Sequence, residues 1–189
     1  EERVRAALKT TTPLADVYAN VRWLAATRPG GPPRDGETDL LVVHPEYGLL
    51  AIEVKDGTVT REASGHWFAG NRPLTESPFR QAETGKHAIR DLIAADPRWG
   101  GRPEPRMLHA VAFPDTDRES LGAHTLGPDA PIELVIDRAD LADETATAKA
   151  LGRIFRHWSG DGARDRPVSD RDRATIREIL EKTSKLRSL

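Results

Sequence analysis

Two short apolar runs separated by a five-residue turn constrain the fold more than any other segment of the chain. The first run spans 39–43 (DLLVV) and the second spans 49–55 (LLAIEVK). The segment between them, 44–48 (HPEYG), has an early proline and a final glycine, as turns do. This arrangement predicts a β-hairpin. Because both runs are almost continuously apolar, we expect other elements to cover both faces of the strands.

The register of this hairpin brings charged side chains together at one end. If Val43 pairs with Leu49 beside the turn, the same register carries outward and places Asp39 opposite Glu53. Facing Cβ atoms on antiparallel strands are about 4.5–5.5 Å apart, so the two carboxylates would repel each other. Side chains alternate along a strand, and Lys55 therefore lies on the same face as Glu53. The hairpin thus predicts two acids and a lysine at its open end.

This group of residues has the chemistry that metal-dependent phosphodiester hydrolysis requires. A hard cation such as Mg²⁺ or Mn²⁺ takes oxygen ligands and would relieve the repulsion between Asp39 and Glu53. The main-chain carbonyl of Val54 is a further candidate ligand, provided that the strand end is free. Lys55 beside the cation can orient a water or stabilise charge on a phosphate.

An alternative interpretation needs no ligand. Glu53 and Lys55 could form a surface ion pair on an edge strand, and Asp39 could cap a loop. The apolar surroundings argue against this alternative, because charged residues are seldom buried unless they are paired or bind a metal.

The rest of the chain predicts helices around a small number of further strands. Ser77 and Pro78 suit the N-cap and first position of a helix, and Ser169 with Asp172 forms an acidic variant of the capping box. In chain order we expect a helix over 1–9, a strand over 17–24, a loop over 27–35, a hairpin over 58–61 and 66–69, a helix over 77–95, strands over 107–113 and 132–136, and a last helix to about residue 186. This order predicts an α/β fold, with a central mixed sheet of four to five strands flanked by helices and a helical C-terminal extension.

Composition limits the classes of function that remain. The chain has 189 residues and no cysteine, which excludes disulfides, thiolate zinc sites and cysteine nucleophiles, and we expect a cytoplasmic location. No run of roughly 18 apolar residues occurs, so we expect no membrane partner. Residues 151–189 carry ten Lys/Arg against six Asp/Glu, while the formal net charge of the whole chain is −2. The basic C-terminal part is either a solvated helical face or a surface for phosphate or another domain.

The segments 36–39, 48–55 and 77–81, together with Trp67, resemble the nuclease-related domain (NERD) family. The resemblance covers roughly residues 1–115 and predicts a nuclease domain there, followed by an extra strand and helical extension or connector over 116–189. The family is regarded as a branch of the PD-(D/E)xK nuclease superfamily, which implies a restriction-endonuclease-like fold. The lack of an initiator methionine suggests that the chain is numbered from inside a longer product.

The resemblance also implies roles for individual residues. Asp39 and Glu53 would be the metal-binding acids and Lys55 the catalytic lysine. Glu1 matches an acid of the first helix, and Gln81 matches a helix glutamine near the site.

Candidate partners follow from the residues and from the resemblance. Arg72 and Arg80 flank the start of the predicted helix at 77 and are candidate phosphate contacts, with a solvated surface as the alternative. The family is often fused ahead of a superfamily-1 helicase, and the chain has no GxxxxGK[ST] phosphate loop of its own. A helicase partner would therefore lie beyond residue 189 or on another protein. A homodimer is a further possibility, since nucleases that cut both strands often dimerise.

The sequence thus favours a Mg²⁺- or Mn²⁺-dependent DNA endonuclease that acts with a helicase in DNA processing, repair or defence. Two alternatives stay open: a non-catalytic nucleic-acid-binding module of a helicase, and an interaction domain whose site has decayed.

Overall fold

The computed structural model describes residues 1–26, 33–122, 126–159 and 166–185. Four α-helices and eight strands occur within these ranges, joined in places by short 3₁₀ turns. In chain order they are α1 (Glu2–Thr11), β1 (Asp16–Ala26), β2 (Pro33–His44), β3 (Gly48–Val54), β4 (Val59–Arg61), β5 (Trp67–Ala69), β6 (Arg72–Pro73), α2 (Pro78–Ala95), β7 (Met107–Ala112), β8 (Val135–Ile136), α3 (Glu144–Trp158) and α4 (Asp170–Lys185).

Five of the strands form one mixed sheet in the order β1-β2-β3-β7-β8. The pairs β1–β2 and β2–β3 are antiparallel, whereas β3–β7 and β7–β8 are parallel. Parallel neighbours need a crossover, and α2 lies in the connection from β3 to β7. The small strands β4, β5 and β6 form a separate antiparallel sheet within that connection. The predicted α/β fold with a mixed central sheet is confirmed.

The predicted hairpin and its register near the turn are confirmed. Val43 pairs with Leu49, and His44 also pairs with Gly48, so the connecting turn has three residues rather than the five expected. Gly48 has a φ of +95°, and a Cβ built on it would lie 2.3 Å from the carbonyl oxygen of Arg106. Only glycine fits this position, because both its backbone conformation and the close approach exclude a side chain.

Both faces of the sheet are covered, as the continuous apolar runs predicted. Every residue of β3 is buried. On one face, called here the α1/α3 face, side chains of β2 and β3 pack with Val4 and Leu8 of α1 and with Ile154 of α3. On the opposite face, called the α2/α4 face, the alternate side chains pack with Ile89 of α2 and Ile176 of α4. In a central strand buried on both sides, a charged residue away from the strand end would need a partner or a metal.

Two expectations about the strands were partly wrong. The loop expected over 27–35 ends earlier, because Pro33 to Asp35 pair with the end of β1; residues 27–32 lie outside the described ranges. The strand expected over 132–136 is reduced to Val135 and Ile136, and 132–134 form a 3₁₀ turn. The ladder is short because β8 meets only the last two residues of β7.

The predicted helix starts were right in position. Ser77 occupies the N-cap of α2, but its hydroxyl makes no capping hydrogen bond. At α4 the capping box forms: the Asp172 N–H donates to the Ser169 hydroxyl oxygen and the Ser169 N–H donates to Asp172, both over 3.2 Å.

Residues beyond 115 add to the same sheet, through β8, and to its α1/α3 face, through α3. The division of the chain at residue 115 stays a prediction. No helix in the described ranges has the length and apolar character needed to cross a membrane.

Candidate active site

The end of β3 carries an acid and a lysine in direct contact. The Lys55 ammonium donates a hydrogen bond to Glu53 Oε1 over 2.5 Å. Their side chains are only 18% and 10% exposed. The two residues share a face, as strand alternation predicted. They do not form a surface pair on an edge strand, because β3 lies between β2 and β7.

Asp39 reaches the same place from β2, but not by the predicted pairing. The β2–β3 ladder ends at Leu40 and Ile52, so Asp39 and Glu53 are not a ladder pair. Instead, Asp39 Oδ2 accepts a hydrogen bond from the main-chain N–H of Val54 over 2.7 Å. The two acids are nevertheless close enough that the charge of Asp39 raises the pKa of Glu53.

The surroundings of Asp39 and Glu53 disfavour their ionised forms. Burial, with the nearby charge of Asp39 as the second cause, raises the pKa of Glu53 to about 7, against the opposing hydrogen bond from Lys55. Burial also raises the pKa of Asp39 above its ordinary value, although the Val54 N–H opposes the shift. Glu53 therefore favours its protonated form below about pH 7, and a cation would compete with that proton.

Two further acids lie beside this pair. Glu1 precedes α1, and burial followed by the charge of Asp39 raises the pKa of Glu1. Glu76 precedes α2, and its charge contributes to the raised pKa of Glu53. Glu1 was expected here, whereas Glu76 was missed. Its one signal in the sequence is its place immediately before the predicted N-cap Ser77.

The remaining predicted residues lie on α2 and β6. Gln81 is in the first turns of α2, and its side-chain Oε1 is buried without a hydrogen-bond partner in the described structure. Arg80 is exposed and lies 3.8 Å from Glu76, so it is near the acids without contacting Asp39 or Glu53. Arg72 is exposed in β6 and makes no ion pair within the described ranges.

A metal centre built only from side chains is not preformed. Across the described ranges, no group of three or more His, Cys, Asp or Glu side chains is arranged to hold a metal ion.

The fold and the site together define an α/β domain with two acids and a lysine gathered at the end of its central strands. A family model for the nuclease-related domain (NERD) matches residues 1–114, and the chain belongs to this family. The resemblance seen in the sequence is thereby confirmed. No curated protein and no solved structure matches the chain significantly.

Proposed function

We propose that this domain is a Mg²⁺- or Mn²⁺-dependent DNA endonuclease that hydrolyses phosphodiester bonds. The observation that carries the proposal is the convergence of Asp39, Glu53 and Lys55 at the end of an otherwise apolar strand pair. A buried carboxylate (Glu53) and a half-buried one (Asp39) this close are unfavourable unless a proton or a cation neutralises them. Membership of the nuclease-related domain family supports the same reaction class.

The donor set fits a hard divalent cation. The carboxylates of Asp39 and Glu53 would hold it, and burial together with the charge of Asp39 raises the pKa of Glu53, so that a further positive charge there would be stabilised. The Val54 N–H points to Asp39, and in an extended strand the carbonyl of the same residue points to the same side. That carbonyl is therefore a third candidate ligand.

The side chains have separate tasks in this proposal. A divalent cation supplies Lewis-acid chemistry at the phosphate and lowers the pKa of a water. With a cation held, Glu53 would be ionised, and Lys55 Nζ would be placed to donate to the attacking water or to a phosphate oxygen. Glu1 and Gln81 would complete the polar wall of the site. Arg72 and Arg80 would contact phosphates of the substrate.

Cleavage of plasmid DNA with added Mg²⁺ or Mn²⁺ tests the proposal. We expect Asp39→Ala, Glu53→Ala and Lys55→Ala each to abolish cutting while the folded state is retained in thermal melts. Lys149→Ala and Glu181→Ala, at exposed positions on α3 and α4, are matched controls and should cut normally. Unchanged cutting in all three site variants would rule the proposal out.

The alternative function is a non-catalytic nucleic-acid-binding module that recruits or orients a helicase. The basic C-terminal part favours it, but several of its described arginines are engaged with acids of the domain. Arg173 and Arg177 pair with Asp16 of β1, and Arg166 pairs with Asp172. A salt-dependent DNA shift that needs no metal and survives Glu53→Ala would favour this alternative. A helicase in cis beyond residue 189 or in trans, and a homodimer, are proposed partners on either account.

A further inference from the structure

Side-chain alternation reverses partway along β1. Val17 and Ala19 pack against the core on the α1/α3 face. Val21 and Trp23 belong to the core on the α2/α4 face. In a regular strand, residues two apart share a face, so all four would lie together. The reversal therefore falls between Ala19 and Val21.

The partner strand β2 reverses at the same level. Leu40 and Val42 pack on the α1/α3 face. Thr38 lies on the other side: its hydroxyl oxygen accepts a hydrogen bond from Trp23 Nε1 over 3.1 Å. A Cβ built on Gly85 of α2 would lie 2.5 Å from the same oxygen. The reversal in β2 therefore falls at Asp39.

One backbone conformation accounts for both reversals. Asn20 has a φ of 52°, and among the described residues it is the one non-glycine with a left-handed backbone. Ala19 pairs with Leu40 and Val21 pairs with Thr38, so Asn20 stands opposite Asp39, and this pair is missing from the ladder. Asparagine visits the left-handed region more readily than other residues with a Cβ, because its short polar side chain can hydrogen-bond locally.

The reversal determines where the Asp39 side chain lies. Its neighbours Thr38 and Leu40 point to opposite faces, so Asp39 is at the crossover and can extend toward β3 in the plane of the sheet. Main-chain N–H groups of successive residues in a strand point to opposite sides. The N–H groups of Leu49 and Lys55 donate to Arg106 and Ala112 on the β7 side. The Val54 N–H, one residue before Lys55, therefore points toward β2. Asp39 meets it there, in place of a main-chain acceptor.

We propose that Asn20 is a positioning residue for Asp39: its left-handed backbone turns β2 so that the Asp39 carboxylate faces the end of β3. Its importance for cleavage rests on the proposed nuclease function, but its effect on Asp39 does not. Glycine accepts the same φ, whereas valine, a β-branched residue, is strongly disfavoured there.

The test compares Asn20→Gly and Asn20→Val with the wild type in two assays. The first assay measures the ¹⁵N-resolved chemical shift and the hydrogen exchange of the Val54 amide. Asp39→Ala serves as the reference for a Val54 amide without its acceptor. The second is DNA cleavage with Mn²⁺. Arg22→Val, on the regular part of β1, is the matched control for adding valine to this strand.

In Asn20→Gly and Arg22→Val, we expect the Val54 amide to keep the chemical shift and the exchange rate of the wild type. In Asn20→Val, the chemical shift of the Val54 amide should move to the value seen in Asp39→Ala. Cleavage should fall by about five- to thirtyfold. If Asn20→Val does not fold, Asn20→Ala, which keeps the Cβ but removes the amide that favours the left-handed backbone, is measured in its place. A Val54 amide unchanged in the folded variant would overturn the proposal, even if the variant melts earlier. Absence of cleavage by the wild type would refute the nuclease function, while the amide measurement would still decide the role of Asn20.

Discussion

Replacing Glu53 by glutamine is expected to change how folding stability depends on pH. The folded protein has a Glu53 pKa of about 7, against an ordinary value of 4.5 that applies to the unfolded chain. Between these values the folded state binds more protons than the unfolded state, so the free energy of unfolding falls as pH rises. The full gap corresponds to about 3 kcal/mol. Glutamine cannot ionise, so E53Q should not lose this stability as pH rises.

Urea unfolding of metal-free wild type and E53Q, from about pH 4.5 to about pH 8.5, measures the effect. The stability of E53Q minus that of the wild type should increase by up to about 3 kcal/mol across the lower part of this range, and it should stay constant above about pH 7. Any change in the hydrogen bond to Lys55 shifts the stability difference by a similar amount at low and high pH. The increase of that difference with pH therefore reports the ionisation of residue 53. Glu181→Gln on the exposed side of α4 is the matched control.

A stability difference that does not vary with pH would refute the reasoning, because it would mean that Glu53 is not desolvated in the folded protein. Saturating Mg²⁺ should reduce the rise, since a bound cation favours the ionised carboxylate.

Three further outcomes are expected. Mn²⁺ binding below about pH 7 should release a proton from Glu53, and calorimetry in buffers of different ionisation enthalpy would detect it; equal heats in all buffers would contradict the raised pKa. Gly85→Ala should lower stability by about 1–2 kcal/mol in urea unfolding, because crowding the Thr38 hydroxyl outweighs the gain in helix propensity of about 1 kcal/mol. Asp172→Ala should lower it by about 3 kcal/mol by the same measurement, because this fully buried carboxylate pairs with two arginines and caps α4; a change near zero would count against that network.

The local parts of the site could be predicted from the sequence. Turn chemistry at 44–48 and two apolar runs determined the hairpin and its register near the turn. Strand alternation then determined that Glu53 and Lys55 share a face, which their 2.5 Å contact confirms. Ser169 and Asp172 marked the start of α4 for the same reason: a capping box needs only residues three apart. These features depend on neighbours in the chain, which the sequence displays directly.

The contacts that tune the site were decided by the tertiary structure. The sequence extended a regular register to Asp39, but the left-handed backbone at Asn20 ended the regular alternation there, and the Asp39 carboxylate bound the Val54 N–H instead. Asparagine tolerates that φ, but nothing local in the sequence shows that Asn20 adopts it, because most asparagines in strands are extended. The pKa of Glu53 likewise follows from burial and from the charge of Asp39, at a point where β3 pairs with β7, which is distant in sequence. The sequence therefore determined which groups could meet, while long-range packing determined their orientation and their charge.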